Sequence, residues 1–207
     1  MRELFRQKLL RGGAALPWYL KMGIARADFT VIYLPKGAAS LAASYINVIN
    51  PGTFNAALGV APTWDASSGW IFNGSNQVLS ACPDAANLTT FIRFTDSTGA
   101  LYGCASGGGY YGISSNSGTP AFWSTNNVFS GFASPGWGVL GMSGTKGYLN
   151  GNVVASGLTS PHTVSGTIKI GALDTFLAAS KVQIFVAINR ILSEAESMAV
   201  SQAMIAA

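Results

Sequence analysis

Lys146-Gly-Tyr-Leu-Asn-Gly-Asn-Val-Val-Ala155 places two short runs, one Gly- and aromatic-bearing and one β-branched, on either side of Asn150-Gly151. A two-residue type I′ turn needs positive φ at both central positions, and Asn followed by Gly supplies this at low steric cost. The stretch therefore predicts a tight antiparallel hairpin with a firm register. Working outward, the same texture continues, with short apolar or alternating runs separated by Gly, Ser, Asn and Pro. Strands are predicted at 29–34, 70–79, 88–95, 101–104, 110–114, 121–124, 138–142, 146–149, 152–155, 167–171 and 181–188. So many short strands predict an all-β protein, an antiparallel two-sheet β-sandwich.

Two segments depart from this pattern. Ser193-Glu-Ala-Glu196 fits a capping box, in which the serine hydroxyl accepts from the Glu196 amide while Glu196 reaches back. The Ala, Met and Gln that follow predict a short C-terminal helix up to Ala207. Met1 to Leu10 fits a short amphipathic helix that needs a partner to persist. Leu41 to Ile49 reads equally as strand or helical turn, and Pro51-Gly52 ends it.

The chain has 207 residues, enough for one sizeable core. Hydrophobic residues make up 49% and charged residues 10%, which excludes intrinsic disorder. Mean hydropathy is +0.34, yet no apolar run approaches the roughly 20 residues that cross a bilayer as a helix. Net charge is +4, but Arg2, Arg6, Lys8, Arg11, Lys21 and Arg26 face only Glu3 in the first 26 residues, so the basic character is N-terminal. A basic arm on a neutral body favours docking on an acidic partner over nucleic-acid binding. The expected organisation is a basic docking arm over residues 1–28 and one sandwich over 29–207, with Arg2, Phe5, Arg6, Lys8, Leu9 and Arg11 as the docking residues. Ala25-Arg-Ala27 is a poor match to a leader cleavage site.

The stretch Gly69-Trp-Ile-Phe-Asn-Gly-Ser-Asn-Gln-Val-Leu79 resembles the early strand pair of concanavalin A-like lectin/glucanase domains of the laminin-G-like type. Gly147 to Ser156 is similar to their Asn-Gly hairpin, and Thr167-Ile-Lys-Ile-Gly171 to their penultimate strand. Val182 to Ile188 followed by Asn189-Arg-Ile-Leu-Ser-Glu-Ala-Glu196 resembles their closing strand and helix start. The four pieces occur in the family's order over residues 69–196 and imply a two-sheet jelly roll. Such domains also occur on phage particles, and the Gly, Ser, Asn and Ala-rich texture is similar to virion proteins. Fold alone fixes no function.

A glycosidase of this class would need two carboxylates flanking the scissile bond. The family's Glu-x-Asp-x-x-Glu motif is missing, and between Ser97 and Leu173 the charges are Lys146 and Lys169 alone. The chain is therefore expected not to be an enzyme. His162 and Asp174 with a serine lack the Gly-x-Ser-x-Gly elbow of a triad, and Pro161-His-Thr163 reads as a turn. Gly107-Gly-Gly-Tyr-Tyr-Gly112 matches a dinucleotide fingerprint in spelling but lacks the following helix. Asp96 is the one tempting calcium ligand in its loop; no metal and no cofactor are expected. Cys82 and Cys104 read as buried hydrophobes or, on adjacent strands, as a disulfide.

Sugar binding needs aromatic faces plus amide and hydroxyl groups, and Tyr110, Tyr111, Trp123, Asn126, Asn127 and Trp137 supply them. The same residues suit a subunit interface. The functional expectation is a structural, decoration or adhesion component of a phage particle, displayed at the virion surface or otherwise an extracellular face. Its expected partners are other virion proteins, further copies of itself and a host glycan. The alternative is a carbohydrate-binding module for a cell-surface glycan.

Overall fold

The computed structural model describes residues 17–107, 109–116, 119–125, 127–130, 136–177 and 179–207. It contains sixteen strands: β1 (Phe29–Tyr33), β2 (Ala57–Leu58), β3 (Thr63–Asp65), β4 (Gly69–Asn73), β5 (Leu79–Pro83), β6 (Thr89–Ser106), β7 (Gly109–Asn116), β8 (Thr119–Thr125), β9 (Asn127–Ser130), β10 (Trp137–Ser143), β11 (Lys146–Leu149), β12 (Asn152–Ser156), β13 (Thr167–Ile170), β14 (Ala172–Leu173), β15 (Phe176–Leu177) and β16 (Ala179–Ile188). Two α-helices accompany them, α1 (Leu41–Ser44) and α2 (Glu194–Ala206).

The strands form an antiparallel two-sheet sandwich. The back sheet runs β12-β11-β10-β6-β16, and β1 and β4 follow one another along the far edge of β16, with β3 beside β4. The front sheet runs β9-β8-β7-β6-β13-β5-β2. Strand β6 belongs to both: Thr89 to Thr95 pairs with β10 and β16, and Gly99 to Ser106 pairs with β7. The runs 88–95 and 101–104 are thus one strand, turned between the sheets where Asp96 takes φ 54°. Conversely, 70–79 is two strands, because Gly74 at φ 73° and the Asn73 side chain, which accepts from the Ser75 amide at 2.9 Å, make a turn.

Trp70, Phe72, Leu79, Phe94, Phe122, Leu140, Ile170 and Phe185 fill the space between the sheets. A second core lies behind the back sheet, where Phe29, Ile32, Phe91, Val139, Tyr148 and Val186 meet Val200 and Met204 of α2. Strand β16 serves both cores through its two faces. Val182, Phe185 and Ala187 point between the sheets and Ile184, Val186 and Ile188 point behind, a parity set by the register shift between Val182 and Ile184. Met22 and Ile24 also enter the rear core, so residues 17–28 pack on the body; the docking residues Arg2, Phe5, Arg6, Lys8, Leu9 and Arg11 lie outside the described residues.

The local signals act as their chemistry requires. Asn150 (φ 51°) and Gly151 (φ 86°) close the β11–β12 hairpin with Leu149 opposite Asn152, and a bulge follows between Gly147 and Tyr148. The capping box of α2 forms in full, and Arg190 joins Glu196 to Asp28 at 2.6 and 2.8 Å. Leu41 to Ile49 begins as a helical turn, because the Ser40 hydroxyl accepts from the Ala43 amide.

Candidate functional site

The front sheet leaves its outer face open to solvent, and strand alternation decides which side chains stand on it. On β7, Tyr111 and Ile113 point into the core, so Tyr110, Gly112 and Ser114 point out. On β8, Phe122 points in, so Ala121, Trp123 and Thr125 point out. Gly112 pairs with Trp123 and Tyr110 with Thr125, which makes Tyr110 and Trp123 diagonal neighbours. Their rings meet edge to face, with centroids 5.4 Å apart at 66°. The Trp123 indole Nε1 donates to Ser114 Oγ at 2.8 Å, which holds the ring in place with its face half-exposed. Val128, opposite Trp123 on the edge strand β9, extends the apolar surface.

Two glycines shape the rest of this face. A Cβ at Gly103 would lie 2.3 Å from Leu173 Cδ1, and one at Gly112, at φ 154°, 2.3 Å from the Tyr102 carbonyl oxygen. The bare backbone of Gly103 lets the β14–β15 hairpin settle onto β6 with Leu173 buried against it, and that of Gly112 lets β7 lie close along β6. Between that hairpin and strands β6 and β13 runs a cleft of about 270 Å³ lined by Cys104, Ala105, Thr167, Lys169 and Asp174. Ala105 lies directly opposite Tyr110, so cleft and aromatic pair share one surface.

The structure sorts the candidate sugar-binding residues. Tyr110 and Trp123 come together. Tyr111 faces the core, 3% exposed, and its hydroxyl donates to the Leu88 carbonyl at 2.7 Å. Trp137 is 55% exposed, but it starts β10 in the back sheet and shares the face of Val139, on the far side of the sandwich. Asn127 opens β9 opposite Ser124, and Asn126 lies outside the described residues. Residues the sequence reading missed are Ser114, Val128, Lys169 and Asp174. A glycine within a strand signals close backbone approach, and Gly103 carried that signal for the hairpin.

His162 is no simple turn residue. It is 5% exposed, stacks on Tyr111 with centroids 4.0 Å apart, and places Nδ1 3.4 Å from Asp84 Oδ2. Its carboxylate neighbour is Asp84, not Asp174. The Cys104 thiol donates to the same Asp84 oxygen at 3.3 Å. Burial pushes the Asp84 carboxyl up to about 7, against the thiol and the Ala85 amide, which favour its charged form. Burial also lowers His162, opposed by the backbone of Val164 and Ala85, and pushes Cys82 up to about 12 and Cys104 further. These are inert thiols beside an acid whose protonated form burial favours. Cys82 and Cys104 are both free, and β13 lies between their strands, so two strand spacings of about 4.8 Å each put them beyond disulfide reach. Asp96 pairs with Lys181 at 2.8 Å.

No family model matches the sequence, and neither does any curated protein. Among solved structures, the chain is similar to Trypanosoma rangeli sialidase (16% identity, TM-score 0.61) and to the same sialidase in complex with sialic acid (15%, TM-score 0.62), covering 86% of this chain and 33% of theirs. It is also similar to the receptor binding domain of botulinum neurotoxin C/D mosaic serotype (12%, TM-score 0.59), covering 87% of this chain and 52% of that one. The chain thus spans about one third of the sialidases and half of the toxin domain. At these identities the likeness is one of fold, the β-sandwich that the sequence pieces implied. The expectation that the chain is not an enzyme is corrected here. It rested on the missing carboxylate pair, whereas sialidases use a tyrosine nucleophile and stand outside the two-carboxylate rule, and the similar structures include sialidases, enzymes that match this fold over about a third of their length.

Proposed function

We propose that this chain is a carbohydrate-binding module that stacks sugar rings on the outer face of its front sheet. The observation that carries the reading is the Tyr110–Trp123 pair, held half-exposed by the bond to Ser114 and bordered by the polar cleft. A sugar ring presents an apolar C–H face and a rim of hydroxyls, which is the surface that an aromatic wall with polar groups beside it complements. The sialic acid complex of a similar structure supports a sugar as the ligand class. Titration against an oligosaccharide panel tests it. Trp123→Ala, with the melting temperature kept within a few degrees, should weaken binding about thirtyfold, as loss of a central aromatic anchor does. Trp137→Ala, on the opposite side, should leave it unchanged. Equal loss in both variants would refute the assignment.

A second reading has its own observation. Leu58 and Val60 are 57% and 50% exposed at the β2 edge of the front sheet, and exposed apolar side chains on an open edge favour strand pairing with another chain. In this reading the module is a component of a larger assembly, a phage particle with the module at its surface and the basic start of the chain, ahead of the segment that packs on the body, as the docking arm. Light scattering before and after Val60→Lys tests the edge, and an unchanged monomer mass in both would count against assembly through it.

A further inference from the structure

We propose that the cleft between the β14–β15 hairpin and strands β6 and β13 is a second sugar subsite that selects neutral hexose units over acidic sugars. The inference rests on the carbohydrate-binding reading and names its ligand class. The cleft, at about 270 Å³, is smaller than the roughly 300–1,000 Å³ of drug-sized pockets and suits a single ring. Because its floor residue Ala105 faces Tyr110 across one strand spacing, a chain of sugars stacked at Trp123 and Tyr110 runs directly into it.

Lys169 and Asp174 decide its chemistry. Three other cations of the sandwich surface are paired, Lys146 with Glu194, Lys181 with Asp96 and Arg190 with Asp28 and Glu196, whereas Lys36, away from the front sheet, has no ion pair among the described residues. Lys169 is the one cation among the described residues of the front sheet, and neither it nor Asp174 has an ion pair or a side-chain hydrogen bond among the described residues. Two unpartnered charges of opposite sign thus line one small space. Asp174 stands at the hairpin turn with φ 57°, a conformation that costs a non-glycine residue energy, and Leu173 locked over Gly103 sets how the hairpin sits.

A neutral diol fits this pair of groups. Each sugar hydroxyl both donates and accepts; the Asp174 carboxylate accepts from two of them and the Lys169 ammonium donates to two. A sugar carboxylate would meet attraction from Lys169 and repulsion from Asp174, with no net gain. Nor, among the described residues, is a free guanidinium fork at hand to take one. Arg26 donates to the Ile49 carbonyl, Arg93 to the Met204 carbonyl, and Arg190 to its two carboxylates. The cleft therefore differs in chemistry from a site built for sialic acid.

The test is an array of matched neutral and sialylated oligosaccharides, followed by calorimetric titration of the best binder with the wild-type chain, Lys169→Ala, Asp174→Asn and Trp123→Ala. Asn tolerates the left-handed conformation, so Asp174→Asn keeps the hairpin. Tighter binding of the neutral partners, weakened about tenfold by each cleft variant as loss of a charge-assisted hydrogen bond predicts, is the expected result. Preference for the sialylated partners, or cleft variants that bind as wild type while Trp123→Ala fails, would overturn the subsite and leave the aromatic face standing. No binding to any glycan would overturn both.

Discussion

Asp84→Asn should remove a pH dependence that is built into the core. The Asp84 carboxyl has no exposed side-chain surface and is raised from 3.8 to about 7, so the folded protein binds a proton that the unfolded chain has already released over that range. The stabilisation is fully present below about pH 4 and is lost as pH rises through 7. At about 1.4 kcal/mol per unit the full shift amounts to about 4 kcal/mol; relaxation and water entry around a buried ion reduce that, and about 2 kcal/mol is the working figure. For a domain of this size that is a fall in melting temperature of about 4–8 °C over the whole span from below pH 4 to pH 8. Of the groups facing Asp84, Cys82, Cys104, Tyr102 and Tyr111 are all raised by burial and stay neutral across the window. His162 is lowered and acts with the opposite sign, its contribution present above pH 6.5 and lost as pH falls through its depressed value, so the Asp84 effect is read from the difference between the two proteins, which share His162. Asn keeps the shape and cannot ionise. Scanning calorimetry of both proteins from pH 4 to 9 gives the difference curve, and the carbon shift of the Asp84 carboxyl gives its titration directly. A parallel pair of curves, or an Asp84 that titrates near 4, would refute the argument.

Three further outcomes follow from the packing and the caps. Asn47, fully buried, accepts from the Ile32 and Ile49 amides and donates to the Thr30 and Thr53 carbonyls, so Asn47→Ala should cost about 2–4 kcal/mol in urea unfolding by orphaning those groups. Gly141 receives the Phe91 ring, whose Cδ1 would lie 2.1 Å from an added Cβ; Gly141→Ala should destabilise by more than 2 kcal/mol, and Phe91→Leu in the same chain should recover part of it. Glu196 is held down to about 2, chiefly by Arg190, so Glu196→Gln should flatten stability on the acid side, where that contribution, present above about pH 4.5, is lost as pH falls towards 2; partial exposure keeps the effect below about 1 kcal/mol.

Part of the site was legible in the chain and part was not. Tyr111 shares its strand face with the apolar Ile113, and Tyr110 with Gly112 and Ser114, so period-two alternation alone separates the inward from the outward tyrosine. Trp137 carries no such signal: its strand looks like any other until pairing with Thr95 puts it in the back sheet. Lys169 and Asp174 are bland singly and gain meaning from a hairpin folded over Gly103.

What the sequence by itself determined is what depends on neighbours along the chain. Asn150-Gly151 permits positive φ at two successive residues, Ser193 and Glu196 satisfy each other's amides, and alternating apolar residues mark strands whatever their partners. What only the tertiary structure decided depends on groups far apart in sequence. Asp84 and His162 meet across 78 positions, β6 spans both sheets because its two halves find different partners, and α2 covers the back sheet because Val200 and Met204 join Val139 of β10 and Phe91 of β6 in the rear core. Such contacts carry loop-closure entropy and depend on register, and a shift of one residue would exchange every inward side chain for an outward one.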